Sequence, residues 1–167
     1  AEEILDKLTH PCSQRQFLLY EAIRKNVALS ELQKKTGIKL YYLQQLKELV
    51  ELETEILKHR EHILPDELLI KAKKDGFSDL YLAKLIGSPE AVIRKQRLSL
   101  GSSEAWDKIP VSAVEDATYY YSSYNIKDQS VASNNQRKVM ILGGGPIRIG
   151  QGIEFDYCCV HAAKALR

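Results

Sequence analysis

The sequence is poor in the features that mark membrane-bound and secreted proteins. Its 167 residues include one methionine, one tryptophan, five prolines and three cysteines. It has no apolar run of about 18 residues, the length that a membrane-spanning helix needs. No positively charged leader precedes an apolar segment, so no secretory signal is predicted. We therefore expect a protein of the cytoplasm or of an organelle matrix.

Neither sign of charge predominates along the chain. Lysine and arginine total 24, aspartate and glutamate total 22, and the formal net charge is +2 at pH 7. Proteins that bind nucleic acid or anionic membranes usually carry a clear basic surplus. The composition therefore predicts neither of these partners.

The cysteines and histidines indicate no catalytic or metal site. Cys12, Cys158 and Cys159 are an odd number of thiols, which we expect to be reduced and packed as small apolar side chains. His161 alone cannot complete a zinc site with the adjacent cysteine pair. No serine or cysteine lies in a strand-to-helix elbow with a recognisable base. We predict no catalytic residue, no bound cofactor and no metal within these residues.

A string of short helices is predicted over the first hundred residues. Amphipathic segments end at glycines where a left-handed cap is expected, at Gly37, Gly76, Gly87 and Gly101. Helix starts are indicated by a capping-box pattern at Ser13 with Gln16, by Ser78, and by Ser88 before Pro89. The predicted helices cover residues 2–8, 14–26, 30–36, 40–59, 65–75, 79–86 and 89–100.

The longest predicted helix has an apolar face wider than one stripe. Its apolar positions include Leu43, Leu46, Leu49, Val50, Leu52, Ile56 and Leu57. Such a width is typical of a helix buried on more than one side. Two interpretations stay open: the second side packs inside the same domain, or it contacts another subunit.

Paired helices joined by a glycine turn also occur in helix-turn-helix DNA-binding modules, which gives an alternative function. Two such pairs span Leu32 to Leu46 and Leu68 to Leu98. Over residues 64–101, seven basic residues face five acidic ones. This balance offers little attraction for phosphate, so an independent interaction or DNA-binding module is the less favoured interpretation.

Residues 108–137 are predicted to be a linker with a tyrosine cluster. The polar run DQSVASNNQR, from Asp128 to Arg137, cannot bury a core. Before it, the segment TYYYSSY from Thr118 to Tyr124 carries four tyrosines. Without a basic surround they are expected to pack along a neighbouring domain, rather than to stack on bases.

The last thirty residues predict a strand, a glycine-rich loop and a helix. Val139 to Leu142 form an apolar run typical of a buried parallel strand, and no comparable second strand is predicted. The rest of that sheet is therefore expected to lie outside these residues. The loop is not a P-loop, because Gly150 is followed by Gln151 and Gly152 and no lysine is present. It also lacks the third glycine of a dinucleotide-binding fingerprint, since Arg148 stands there.

The residues from Gly143 to Tyr157 have the sequence GGGPIRIGQGIEFDY. This string closely resembles the opening of the second synthetase half of the large chain of carbamoyl-phosphate synthase. KTGIKLYYLQQLKELVELETEI (Lys35 to Ile56), LPDELLIKAKKDGFSDLYLAKLIG (Leu64 to Gly87) and TYYYSSY follow in the order and spacing of that family. The resemblance covers nearly the whole chain.

The chain departs from the family pattern in three places. Lys39, Leu40 and Tyr41 stand where an Asp-Pro-aromatic sequence is usual. The linker has the sequence PVSAVED from Pro110 to Asp116, and it is shorter than usual before Thr118. Ile147 replaces an asparagine found in some members.

The resemblance implies a mainly α chain with an incomplete α/β unit at its end. Residues 1–107 correspond to the helical oligomerisation domain and residues 108–137 to a linker. Residues 138–167 correspond to the first strand, loop and helix of the second pre-ATP-grasp domain.

The family is an ATP-dependent carbon–nitrogen ligase of the ATP-grasp class. It makes carbamoyl phosphate from bicarbonate, glutamine-derived ammonia and two ATP, with Mg²⁺ or Mn²⁺ and K⁺. The resemblance implies partners that are other copies of the large chain, a glutamine amidotransferase small chain or domain, and the remaining ATP-grasp domains. This part alone is expected to be inactive. Arginine, pyrimidine and urea synthesis all stay open as its pathway.

The resemblance also implies roles for residues of the glycine-rich loop. Gly152 and Glu154 match positions beside the path by which carbamate reaches the second active site. The residues expected to hold the shape of the loop are Gly143, Gly144, Gly145, Arg148, Gly150, Gln151 and Asp156. A plainer role for Glu154 and Asp156 is as first-turn acids of a helix beginning near Tyr157.

Overall fold

The computed structural model describes residues 2–110, 118–131, 134, 137–142 and 153–166, without the side chains of 153–156. Within them, the helices are α1 (Glu2–Lys7), α2 (Arg15–Arg24), α3 (Leu29–Thr36), α4 (Leu40–Leu57), α5 (Asp66–Lys74), α6 (Asp79–Ile86), α7 (Glu90–Ser99) and α8 (Ile153–Leu166). The strands are β1 (Ala105–Pro110) and β2 (Thr118–Ser123). The chain divides into two compact units, Ala1–Ser130 and Val131–Arg167.

The first seven helices confirm the sequence prediction to within two residues at each end. All four glycines predicted as caps have positive φ, with values of 71°, 92°, 74° and 66°. A side chain other than glycine would be strained there. Ser78 caps α6, because its Oγ accepts a hydrogen bond from the Tyr81 amide at 3.1 Å. The capping box predicted at Ser13 is wrong: Gln14 is the N-cap of α2, without a side-chain bond.

Two apolar cores are built from these helices. The N-terminal core contains Leu8, Leu19, Ala22, Ile23, Leu32, Leu43 and Val50. The C-terminal core contains Leu52, Ile56, Leu64, Leu68, Leu69, Ala72, Phe77, Leu82, Ala83, Ile86 and Ile93. Helices α2 and α3, with Leu8 just after α1, supply the first core. Helices α5, α6 and α7, with Leu64 and Phe77 from the segments beside them, supply the second. Among the helices described, only α4 contributes to both.

The position of α4 explains its wide apolar face. Leu43 and Val50 lie two turns apart on one face, whereas Leu52 and Ile56 lie one turn apart on another. Val50 and Leu52 are separated by about 200° around the helix axis, so the two faces are nearly opposite. Of the two interpretations left open by the sequence, packing within one unit therefore accounts for the width.

A buried carboxylate lies where the two cores meet. Glu53 on α4 is only 3% exposed. Its Oε2 accepts hydrogen bonds from the hydroxyls of Tyr20 on α2, at 2.6 Å, and Tyr81 on α6, at 2.8 Å. Its Oε1 is paired with the guanidinium of Arg24. Burial, followed by the hydrogen bond to Glu53, raises the pKa of Tyr20 and likewise of Tyr81. The three hydroxyl and guanidinium donors thus satisfy a charge that would otherwise be costly to bury.

A β-hairpin occupies part of the region that the sequence predicted as linker. Strands β1 and β2 pair antiparallel, with Trp106 opposite Ser122 and Lys108 opposite Tyr120. The aromatic side chains of these segments favour strands. The prediction missed the hairpin because Pro110 and the serines resemble loop residues. Pro110 is tolerated because it lies at the end of an edge strand, where no ladder amide is needed.

The predicted strand from Val139 to Leu142 is wrong for this structure. These residues have no regular secondary structure, and Val139, Met140 and Leu142 are exposed. A strand is held by hydrogen bonds to neighbouring strands, and no described residue supplies them here. The helix after the loop begins at Ile153, four residues earlier than expected. Within α8 the rings of Tyr157 and His161 lie 4.1 Å apart.

Glu53→Gln tests whether this side chain joins the two cores. The neutral amide cannot accept from three donors at once, so we expect the free energy of unfolding to fall by about 2 kcal/mol. Glu55→Gln, an exposed change on the same helix, should alter it by no more than about 0.5 kcal/mol. Urea denaturation followed by circular dichroism measures both. Equal effects of the two substitutions would contradict the role of Glu53.

Candidate functional site

The predicted passage residues fall largely outside the part of the chain that the structure describes. Gly143, Gly144, Gly145, Arg148, Gly150, Gln151 and Gly152 are all in this undescribed segment. The backbone of Glu154 and Asp156 lies in the first turn of α8, but their side chains are not described. Their proposed roles stay predictions. The described residues instead reveal a charged site on the helical unit.

This site is centred on Asp79, at the first position of α6. The carboxylate is 6% exposed and has cationic partners on two other helices. Nζ of Lys73, on α5, lies 2.8 Å from Oδ1. The guanidinium of Arg97, on α7, contacts the other carboxylate oxygen, Oδ2, through Nε at 3.0 Å and through Nη2 at 2.9 Å. Lys73 and Arg97 are themselves buried, so the three groups form an ion-pair cluster that joins α5, α6 and α7.

Burial of the Asp79 carboxyl opposes its ionisation, but the surrounding donors outweigh this effect. Hydrogen bonds from Arg97 and Lys73, together with their positive charges, lower the pKa of Asp79 below its ordinary value. The pKa of Arg97 is raised, chiefly by its hydrogen bond to Asp79. Both partners are therefore charged at neutral pH. Lys73 also donates to the Phe77 carbonyl at 2.8 Å, which fixes the turn between α5 and α6.

The Asp79 cluster holds both ends of the hairpin. Arg97 donates through Nη1 to the Ser102 carbonyl, just before β1, at 3.1 Å. Just after β2, the ring of Tyr124 lies 4.9 Å from Nζ of Lys73 and 5.7 Å from the Arg97 guanidinium carbon. These distances are those of cation–π contacts. Asn125 then donates to the Lys74 carbonyl at 2.9 Å. The hairpin is thus attached at its base to α5 and α7.

Sequence reasoning missed this cluster, although a signal was present. Arg97 lies one turn after buried Ile93, and Lys73 lies one turn after buried Leu69. Each therefore falls on the apolar face of its helix, where a solvated charge is not expected. A charge in that position indicates a buried partner. The sequence does not reveal that the partner is Asp79, because the pairing depends on how the helices pack.

The strands of the hairpin are exposed on both faces. Tyr119, Tyr120 and Tyr121 are 68%, 58% and 38% exposed. Trp106 and Ile109, on β1, are exposed as well. Of the tyrosine cluster, Tyr124 alone packs among the helices in this way. The predicted packing of the others along a neighbouring domain stays a prediction.

A shallow cleft of about 220 Å³ lies elsewhere on the helical unit. Its lining includes Ile63, which precedes α5, together with Pro89 and Val92 at the start of α7. Ile63 and Val92 are well exposed despite being apolar. An apolar opening of this kind is typical of a contact surface more than of a catalytic centre.

The part of the chain that the structure describes offers neither a metal site nor a membrane-spanning helix. No group of three or more His, Cys, Asp and Glu side chains there could hold a metal ion. None of the helices described is both long and apolar enough to cross a membrane. All three cysteines are free thiols, but Cys12 and Cys158 are exposed. The expectation of packed thiols is therefore wrong for these two, since neither has an apolar surround to cover it.

Family profiles match two segments of the chain. Residues 1–101 match the family described as the carbamoyl-phosphate synthetase large chain, oligomerisation domain. Residues 135–167 match the carbamoyl phosphate synthase preATP-grasp domain. The hairpin falls between the two matched segments. Both descriptions agree with the resemblance found in the sequence motifs.

Similar full sequences are named carbamoyl phosphate synthase large chain. That of Methanothermobacter thermautotrophicus is 43% identical over 162 residues, which are 95% of this chain and 15% of the relative. That of Archaeoglobus fulgidus is 38% identical over 173 residues, 99% of this chain and 16% of the relative. That of Methanothrix thermoacetophila is 38% identical over 169 residues, 99% of this chain and 15% of the relative. The chain thus spans only a small part of these relatives.

Asp79→Asn tests the charged site. It removes the buried counter-charge that Lys73 and Arg97 share, so the free energy of unfolding should fall by about 3 kcal/mol at pH 7. Because the pKa of Asp79 is lower in the folded state, its ionised carboxylate stabilises the fold fully when the pH is above the unfolded-state pKa of about 3.9. This stabilisation is lost as the pH falls through the folded-state pKa. The difference in the free energy of unfolding between the wild type and Asp79→Asn should therefore become smaller as the pH is lowered.

Urea titrations at a series of pH values measure both effects. Asp75→Asn, an exposed carboxylate at the end of α5, is the matched control, with an expected change within about 0.5 kcal/mol. A stability difference that stays constant below pH 4 would contradict the ionised pairing of Asp79.

Proposed function

The chain belongs to the family of the carbamoyl phosphate synthase large chain, and from this premise we propose that it is the assembly segment of such an enzyme. It spans 15–16% of the length of the relatives it matches. On this proposal it joins copies of the large chain through its helical unit, and its last residues open the second synthetase half.

The match of residues 1–101 to an oligomerisation domain is the observation that carries the assembly role. The apolar cleft with Ile63 and Val92 supports it, because exposed apolar side chains in one place mark contact surfaces. The Asp79 and Glu53 clusters keep the helices that form this surface in a fixed arrangement. Another copy of the same chain is the partner proposed for the cleft.

The enzyme as a whole is proposed to be an ATP-dependent ligase. It would make carbamoyl phosphate from bicarbonate, glutamine-derived ammonia and two ATP, and a glutamine amidotransferase chain or domain would supply the ammonia. ATP, with Mg²⁺ or Mn²⁺ and K⁺, is assigned to the ATP-grasp domains outside these residues. The described residues offer no constellation of paired carboxylates and cations for that chemistry. The segment alone is therefore proposed to be inactive.

The glycine-rich loop is proposed to border the passage of carbamate to the second active site. Glycines such as Gly152 leave a narrow path unobstructed, since they have no side chain. The carboxylate of Glu154 can accept hydrogen bonds from carbamic NH groups. Its place in the first turn of α8 also lets it stabilise the helix N-terminus. The two roles predict different kinetics.

Self-association of the 167-residue chain tests the assembly role. Sedimentation velocity should show a species that grows with protein concentration. Ile63→Glu, which places a charge in the cleft, should weaken association by roughly tenfold or more. Phe17→Glu, at an exposed position of α2 outside the cleft, should leave it unchanged. A monomer at all concentrations, or tight salt-sensitive binding of DNA in a gel-shift titration, would reject the assembly role.

Glu154→Gln in the full-length enzyme tests the passage role. The overall synthesis of carbamoyl phosphate should fall more than the bicarbonate-dependent turnover of ATP, because that ATP turnover does not require carbamate to travel through the passage. Thermal unfolding of the same variant reports any loss of helix stability, expected to be about 0.3–1 kcal/mol. An equal loss of both activities would refute a role in passage.

A further inference from the structure

The two outer edges of the β1–β2 hairpin differ in how their backbone groups are satisfied. In an antiparallel pair, residues alternate between pairs that exchange hydrogen bonds and pairs whose amides and carbonyls point away from each other. The Trp106 carbonyl accepts from the Gln129 amide at 2.7 Å, and Gln129 belongs to neither strand. Trp106 and its partner Ser122 therefore form an outward-pointing pair. The register then makes Lys108 and Tyr120, and Pro110 and Thr118, outward-pointing pairs too.

The outer edge of β1 is protected at each of its three outward positions. The Gln129 amide donates a hydrogen bond to the Trp106 carbonyl. The Lys108 amide donates to Oδ1 of Asp107 at 2.7 Å, so the neighbouring side chain covers it. Pro110 has no amide hydrogen to offer. A charged residue, a proline and a covering segment are the devices by which proteins protect an edge strand.

The outer edge of β2 carries none of these devices. Its sequence, TYYYSS, has no charge, no proline and no glycine. Thr118, Tyr120 and Ser122 point their backbone groups outward, and within the described residues no hydrogen-bond partner meets them. All three residues are exposed. The outer edge of the strand therefore offers alternating backbone donors and acceptors in the pattern that an added strand requires.

We propose that the outer edge of β2 binds a third strand, supplied by a segment of the same polypeptide that lies outside these 167 residues. This inference rests on the proposed function, because it requires the longer chain. The added strand would pair with Thr118, Tyr120 and Ser122, and a length of about five residues is sufficient. Since β2 has no charge, an uncharged strand rich in β-branched or aromatic residues fits beside its tyrosines.

A segment of the same chain is favoured over a second copy for two reasons. The matched relatives are so long that this chain covers 15–16% of them, which leaves ample polypeptide to supply a strand. A tethered segment also has an effective concentration in the millimolar range, well above that of a separate molecule in dilute solution. The anchoring of the hairpin base by Tyr124 and Asn125 further reduces the cost of pairing, because the edge is already positioned.

Hydrogen exchange measured residue by residue tests the proposal. The full-length large chain and the 167-residue chain are compared by mass spectrometry with electron-transfer fragmentation across Thr118–Ser123. The outward amides of Thr118, Tyr120 and Ser122 should exchange roughly a hundredfold more slowly in the full-length chain. The ladder amides of Tyr119 and Tyr121 should be protected in both and report that the hairpin is intact. Equal exchange of the outward amides in both proteins overturns the proposal.

Two proline variants of the full-length chain locate the protected edge. Tyr120→Pro removes an outward amide of β2 and should return Thr118 and Ser122 to the exchange rates of the 167-residue chain. Lys108→Pro is the matched control, because Lys108 is opposite Tyr120 and faces the closed edge. It should leave those rates within about twofold of the unmodified full-length chain. Equal deprotection by both variants overturns the proposal. If either variant unfolds the hairpin, the comparison of the unmodified full-length chain with the 167-residue chain still tests it.

Two further measurements separate the alternatives. Protection that falls when the full-length protein is diluted indicates a second copy as the strand donor and overturns the proposal. Carbamoyl phosphate formation is measured on the same full-length preparation. An active enzyme with unprotected outward amides refutes the added strand alone, whereas an inactive one with protected amides refutes the proposed ligase activity and leaves the strand supported.

Discussion

Burial of the Glu53 carboxylate at the meeting point of two cores is the constraint on which the helical unit depends. Its donors come from α2 and α6, so the charge is satisfied only when helices of both cores are in place around α4. An unpaired carboxylate in this position would cost several kcal/mol. The cores are therefore coupled through one side chain as well as through a shared helix. This coupling gives the surfaces on α5 and α7 a fixed relation to those on α2.

The Asp79 cluster extends the same logic to the hairpin. A buried carboxylate again has cations from neighbouring helices as partners, and Tyr124 covers those cations with its ring. Breaking such a cluster is costlier than its net contribution suggests, because the remaining charges stay buried. The hairpin therefore has a defined base on the helical unit. Its exposed strands and its open β2 edge extend from that base.

The sequence predicted the helices well because their signals are local. Glycine at a left-handed cap, Ser78 at an N-cap and the apolar period all act within a few residues. The tertiary pairs of Glu53 and Asp79 could not be predicted in the same way, since all of their hydrogen-bonded partners except Lys73 are 18 to 33 residues away along the chain. The hairpin was missed because its strands are short and one ends in proline. The strand from Val139 failed for the converse reason: an apolar run forms a strand only where another strand pairs with it. The passage residues were identified by resemblance, and the described geometry does not reach their side chains.

The sharing of α4 between the cores has a consequence for the order of events on the ribosome. The N-terminal core lacks Leu43 and Val50 until α4 has been synthesised. At about 5–20 residues per second, the residues from Thr36 to Val50 take roughly one to three seconds to emerge. During this interval Leu19, Ile23 and Leu32 have no completed core to enter, so these apolar side chains stay exposed on the nascent chain. Tyr20 and Arg24 likewise acquire their carboxylate partner only after Glu53 has left the exit tunnel.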